Sequence, residues 1–198
     1  MSKVFVLMVL IVLSGCSFKE VQKAPTKYTL ERQTLEKVTT KYSFGVLKIP
    51  QIKAPQHLRS EYIWYSNDSL SMHHYLYAKW SENFGTLFSR SLGEILYESG
   101  LFGTVFYESS KMNADLLLEM QILEAKQVVQ DKQAKVQFSV RLHMIDQTDN
   151  HLIDSQVFRY TVLCESIDAK GAVRAYNVMM QKLGSDVLLW IKKLAKES

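Results

Sequence analysis

The amino-acid sequence predicts an α+β fold: a mostly antiparallel sheet with two amphipathic helices packed on it. Residues 114–122 place apolar side chains at even positions (Ala114, Leu116, Leu118, Met120, Ile122) against Asp115, Glu119 and Gln121. Residues 136–144 repeat the pattern with Val136, Phe138, Val140, Leu142 and Met144. A period of two marks strands with one buried face. Phe84, Leu87, Phe88, Ser91, Leu92, Ile95 and Leu96 fall instead at the three-and-four spacing of a helix stripe. So do Ala172, Val173, Tyr176, Met179, Met180, Leu183, Val187, Leu188, Ile191 and Leu194. Two such helices must bury their stripes, and a half-polar antiparallel sheet offers an apolar face to receive them.

The composition agrees with one folded domain. Of the 198 residues 47% are hydrophobic and 22% charged, which excludes a disordered chain. The net charge of +4 is mild and evenly spread, so the concentrated basic face of a nucleic-acid binder is absent.

The N-terminus carries an address. Lys3 precedes ten unbroken apolar residues, 4–13, where a membrane-crossing helix needs about 20. The run fits the h-region of a secretory signal. Leu13-Ser14-Gly15-Cys16 then resembles a bacterial lipobox. In that pathway the Cys16 sulfur takes a diacylglyceryl group, and the amine freed by cleavage is acylated too, commonly with palmitate. An ordinary cleaved signal or a buried first strand would not bring h-region length, small residues and cysteine into agreement. One acyl chain binds a membrane marginally, whereas two or three hold it stably. Ser17, not Asp, follows the cysteine. By resemblance to sorted lipoproteins of two-membrane bacteria, that implies the periplasmic face of the outer membrane. The expected organisation is a signal peptide over 1–15, lipidated Cys16 with a polar tether to 27, and a single periplasmic domain over 28–198. Cys164 then has no partner and reads as a small apolar residue inside a strand.

Within the domain, residues 28–30 begin the ordered part as a strand, and 31–41, charged and Thr-rich, read as loop. Residues 44–49 form a short strand stopped by Pro50, and Pro55 keeps the next stretch extended or turned. Residues 61–65 and 70–77 flank the turn cluster Ser66-Asn67-Asp68-Ser69 and predict a hairpin. Ser81 stands where the first helix needs a cap, and Gly100 where it should end. Polar residues 130–135 and 146–150 join the long strands, the last being 152–163, and connections this short predict antiparallel pairing. Asp168 stands at the start of the last helix.

No catalytic constellation is present: no G-x-S-x-G, H-E-x-x-H, phosphate loop or dinucleotide fingerprint. Neighbours on a strand point to opposite faces, so His73 and His74 would rarely share a cation. His57, His143 and His151 have no carboxylate or thiol at ligand spacing. The expectation is a non-enzyme without cofactor or metal, acting by binding. Tyr62, Trp64, Tyr65, Tyr75, Tyr77 and Trp80 gather around the hairpin. Such residues serve as sheet core and cross-strand pairs, or as anchors for a protein partner, and alternating faces allow both. Tyr62, Trp64, Tyr75 and Tyr77 are the candidate partner-binding residues.

The order of features resembles the ABC-type transport auxiliary lipoproteins (PqiC-like). After the lipobox come Tyr28-Thr29-Leu30, then Ile52 with Pro55, Leu58-Arg59, the hydrophobic stretch 62–65, and Trp80 opening the first helix. Gly100-Leu101-Phe102 with Val105, Asp115 at the head of a strand, and Asp154-Ser155-x-x-Phe158 follow. The likeness runs from Tyr28 to about Leu194. It departs at Glu61-Tyr62, where members more often carry Ile-Val, and in lacking a Pro-rich tether. The resemblance implies a lipoprotein that accompanies ABC transporters and MCE-domain proteins in carrying phospholipids between two membranes, docking the periplasmic conduit. The implied partners are the membrane, through the N-terminal lipid, and those MCE and ABC proteins. A homo-oligomer stays open. Two rivals share the same outline: an outer-membrane assembly or secretin-pilot lipoprotein, and a periplasmic hydrolase whose residues form no recognisable motif.

Overall fold

The computed structural model describes residues 23–33, 44–68, 70–107 and 111–197; Cys16 and most of the stretch 31–41 therefore lie outside the described residues. The strands are β1 Thr26–Tyr28, β2 Phe44–Ile49, β3 Tyr62–Ser66, β4 His73–Trp80, β5 Phe102–Tyr107, β6 Leu116–Gln130, β7 Gln133–Asp146 and β8 His151–Leu163. The helices are α1 Phe84–Glu98 and α2 Ala169–Glu197, with a 3-10 turn at Gln56–Arg59. All eight strands join one sheet, and the expected α+β architecture holds.

β6 is its spine. One edge carries β7, antiparallel from Leu116↔Asp146 to Gln130↔Gln133, and β8 follows antiparallel outside β7. The other edge is shared end to end by β2, parallel at Leu47↔Leu116, and β3, parallel at Ser66↔Val128. Between them Lys53 bridges: its N–H donates to Met120 O at 3.0 Å, and Ile122 N–H donates to Lys53 O at 2.9 Å. β5 lies parallel outside β2, β4 antiparallel beside β3, and β1 parallel outside β4. The long pairings β6–β7 and β7–β8 are antiparallel, as is the β3–β4 hairpin, and the remaining pairings are parallel. Short connections announce only the former, because a parallel partner arrives through a long crossover with no local signal.

A bulge between Ile122 and Glu124 explains why the alternation in sequence stops early. Even residues of β6 are buried up to Ile122; past the bulge the buried ones are Ala125 and Gln127. The extra residue switches the face, and a strict period-two reading loses the strand there. β5 shows no such alternation, and sequence reasoning did not anticipate it.

The helices cover one face of the sheet. Phe84 and Phe88 of α1, Tyr176 of α2, Phe138 of β7 and Trp80 of β4 meet with ring centroids 5.0–6.4 Å apart. Asn83, not Ser81, caps α1, its Oδ1 accepting from Thr86 N–H at 2.9 Å. Ser81 stands too early: its N–H donates to Tyr28 O as the β1–β4 ladder ends, and the helix begins only at Phe84. Gly100 leaves α1 at φ +74°, a left-handed conformation that suits glycine, and Leu101 and Phe102 then turn into the core. Asp168 caps α2, accepting from Gly171 N–H at 2.7 Å. That bond holds its carboxylate below the usual range. Two further carboxylates pin the frame. Asp154 of β8 accepts from Trp190 Nε1–H of α2 at 2.6 Å, while Phe158 meets the same indole edge-on. Asp115 accepts from Val46 N–H at 2.6 Å, joining the head of β6 to β2.

Candidate functional site

The β3–β4 hairpin carries the surface aromatics, and its irregular register decides which of them can meet. Ile63 is fully buried, so Tyr62 and Trp64 fall on the opposite side of the strand. Trp64 stands across from His74, and Tyr62 across from Lys79, with a register shift between. The His74 ring stacks on Tyr62 with centroids 4.0 Å apart and 16° between planes. Trp64 stands edge-on to both, at 5.5 Å from His74 and 6.1 Å from Tyr62. His57 of the 3-10 turn closes the group 5.4 Å from Trp64, and its carbonyl accepts from Trp64 Nε1–H at 2.9 Å. Burial, with Lys126 adding to it, lowers the His57 pKa and favours the neutral ring.

The result is a tile of four rings. Tyr62, 44% exposed, is its open corner, and Trp64 is half-buried against the core. Tyr75 takes the other side of the hairpin: its hydroxyl donates to the buried Gln127 and its ring packs on Tyr65, 4.8 Å away. Burial pushes that hydroxyl up to about 12. Tyr77 is 61% exposed, in the irregular stretch of β4. The structure thus joins Tyr62 and Trp64 and separates Tyr75 and Tyr77 from them. His74 was findable as the cross-strand neighbour of Trp64, whereas nothing in sequence placed His57 there.

Gln127 was not singled out either. Its amide donates to Cys164 Sγ and Asp168 O while its carbonyl receives Tyr75, so one buried side chain links β4, β6 and the junction before α2. Burial raises the Cys164 pKa and keeps the thiol protonated, in line with a packing role.

One expectation about the histidines fails. The β7–β8 turn brings Asp146 and Asp149 to His151, their ligand atoms within 4.8 Å of one another. His151 Nδ1 bonds Asp149 Oδ1 at 2.5 Å. The turn folds these side chains together on an exposed corner, where the bond to Asp149 raises the His151 pKa. A cleft of about 290 Å³ lies between α1 and the connection after β2, lined by Ile49, Ile52, Ser89, Arg90 and Tyr107. Its cationic head, Arg90, pairs with Glu82 at 2.7 Å. Among the described residues no helix is long and apolar enough to cross a membrane.

The chain is a helix-covered sheet whose β3–β4 hairpin carries this tile, with Tyr62 exposed. The chain belongs to the ABC-type transport auxiliary lipoprotein component family, whose model matches residues 28–187. A protein of Xanthomonas campestris is similar in fold, with a TM-score of 0.71 at 14% identity over 88% of this chain and 96% of that one. An uncharacterised protein gives 0.62 at 11% identity over 85% and 99%. A hypothetical protein of Chlamydia trachomatis gives 0.54 at 12% identity over 78% and 99%. No curated protein matches the chain in sequence. The short motifs have structural roles: Gly100 ends α1, Asp115 ties β6 to β2, and Asp154 with Phe158 seats Trp190.

Proposed function

We propose that the protein is an outer-membrane-anchored accessory component of an ABC/MCE-type lipid transport system, working by docking rather than by chemistry. Family membership across nearly the whole described domain carries this reading. The anchor is the lipid on Cys16 after removal of residues 1–15, and the tether ends by residue 25, because Thr26 and Lys27, expected in the tether, already pair with β4 in β1. The docking surface is the tile, with Tyr62 as its accessible anchor and Trp64, His74 and His57 as its rigid backing. Stacked rings lose little side-chain freedom on binding, which makes such a surface economical for a partner to cover.

The test is partner recovery from crosslinked membranes. Tyr62→Ala should weaken capture of the periplasmic partner by about 2 kcal/mol or more, the cost of losing an interface anchor. Its stability should hold, because the ring is exposed. Tyr75→Phe, which deletes only a hydroxyl turned inward to Gln127, should leave capture unchanged. Equal recovery with Tyr62→Ala and wild type would remove the tile from the interface.

A further inference from the structure

Exposed apolar side chains occur singly on α1, α2 and β8, but several gather toward one end of the domain. The register row Ser66↔Val128↔Lys135↔Leu163 runs across β3, β6, β7 and β8 and marks that end. Beyond it lie the β3–β4 loop, the β6–β7 turn at Asp131 and Lys132, and the junction between β8 and α2. Leu70 is 96% exposed and Leu163 72%, with Met72 and Ile167 exposed in the same loop and junction; Leu76, 74% exposed, and Tyr77 follow farther along β4, past His73. Asp68 shapes the loop by accepting from the N–H groups of Leu70 and Ser71 and from the Ser71 hydroxyl, so these bonds are internal and leave Leu70 facing solvent. Strands stand about 4.8 Å apart, so the row from Ser66 to Leu163 spans roughly 14 Å. A set of apolar groups this clustered marks a contact surface, where scattered single ones would not.

β1 says what the surface contacts. It runs parallel to β4 with Thr26 opposite Ala78, so the chain enters β1 from the side of β4 that begins at His73, next to the loop. Cys16 stands ten residues before Thr26, a reach of at most about 35 Å. A lipid on Cys16 can therefore tether the domain from the end that carries these apolar groups. We propose that this end is a second membrane contact: Leu70 and Met72 enter the outer part of the acyl layer, and Leu76, Tyr77, Leu163 and Ile167 lie at the headgroup boundary. The proposal rests on the lipid anchor at Cys16. Tyrosine suits that boundary, with its ring apolar and its hydroxyl wet. Polar groups at this end carry both signs, Lys132 and Lys135 against Asp131 and Glu165, so the contact is apolar and needs no anionic lipid. The consequence is a fixed orientation, with the β7–β8 turn aimed away from the bilayer.

The experiment uses the full chain with its native N-terminus in phosphatidylcholine vesicles, in a Cys164→Ser background, with an environment-sensitive fluorophore on Leu70→Cys or on Leu152→Cys. Leu152 is a matched control, an exposed leucine at the opposite end of β8. Both proteins should float with the vesicles. The label at 70 should shift to the blue and lose most of its emission to a nitroxide carried on the lipid acyl chain, and the label at 152 should do neither. A floating protein whose label at 70 is as wet as the one at 152 overturns this inference and leaves the anchor standing. A label at 70 that is dry yet untouched by the lipid nitroxide overturns it in favour of a protein covering the surface. A chain that does not float overturns the anchor and this inference together.

Discussion

Replacing Gly45 with Ala sets the strand β2 against the carboxylate that holds it. A Cβ on Gly45 would stand 1.9 Å from Asp115 Oδ2 and 2.8 Å from its Cγ, closer than any real contact. The Asp115 side chain can swing away, but only by releasing Val46 N–H, which it now holds at 2.6 Å. A hydrogen bond to a charged group is worth about 1.5–3 kcal/mol, and the exposed site argues for the low end, about 1.5. Asp115→Ala should therefore cost about 1.5 kcal/mol. Gly45→Ala loses the same bond and recovers roughly 0.5 kcal/mol because alanine has less backbone entropy to lose, for a net cost of about 1. In the double variant the clash is gone and the bond can be lost only once, so the total should also be about 1 kcal/mol rather than the additive sum. Urea unfolding of the chain from residue 21 onward, followed by circular dichroism, measures all four corners of the cycle. Additive losses would refute the reasoning, since they would mean that Gly45 and Asp115 act separately.

Other expectations test the remaining joints. Leu183→Asp buries an unpaired charge in the fully buried stripe of α2 and should unfold the domain, whereas Lys182→Asp on the exposed face should shift stability by less than about 0.5 kcal/mol, as urea midpoints would read. The bond from Trp190 depresses the Asp154 pKa, so its stabilisation is present above the unfolded-state value and lost as pH falls through the folded one. Asp154→Asn should accordingly flatten the decline in stability below about pH 4, measured by unfolding at successive pH values; an unchanged acid limb would discount that bond. Intact-mass measurement on protein from native membranes should show loss of residues 1–15 and a gain of acyl mass on Cys16, and a chain beginning unmodified at Met1 would refute lipidation.

Legibility followed periodicity. The α1 and α2 stripes and the strands around Met120 and Val140 were readable because each buries one face against the other layer, and burial imposes a period on sequence. The reading broke where geometry interrupted that period: at the bulge after Ile122, along β5, and at the cap, where Ser81 was already bonded to Tyr28 and Asn83 took the helix. Parallel pairings of β2 and β3 with β6 join residues more than sixty positions apart, and no local pattern encodes them. The site was half legible. Aromatic composition located the hairpin, but the register shift in β4 decided that Tyr62 and Trp64 share a tile with His74 while Tyr75 turns toward Gln127. The apolar end of the domain was not legible, because Leu163 is set level with the end of β3 only by the row through β6 and β7.

We propose that this lipoprotein serves a lipid transport complex by binding. The most direct measurement is to crosslink intact cells, purify the wild-type protein from their membranes, and identify what comes with it by mass spectrometry. Recovery of an MCE-domain protein together with ABC transporter components, with crosslinks at the face carrying Tyr62, is the predicted result. Recovery of a β-barrel or a secretin, with no MCE or ABC component, would contradict it.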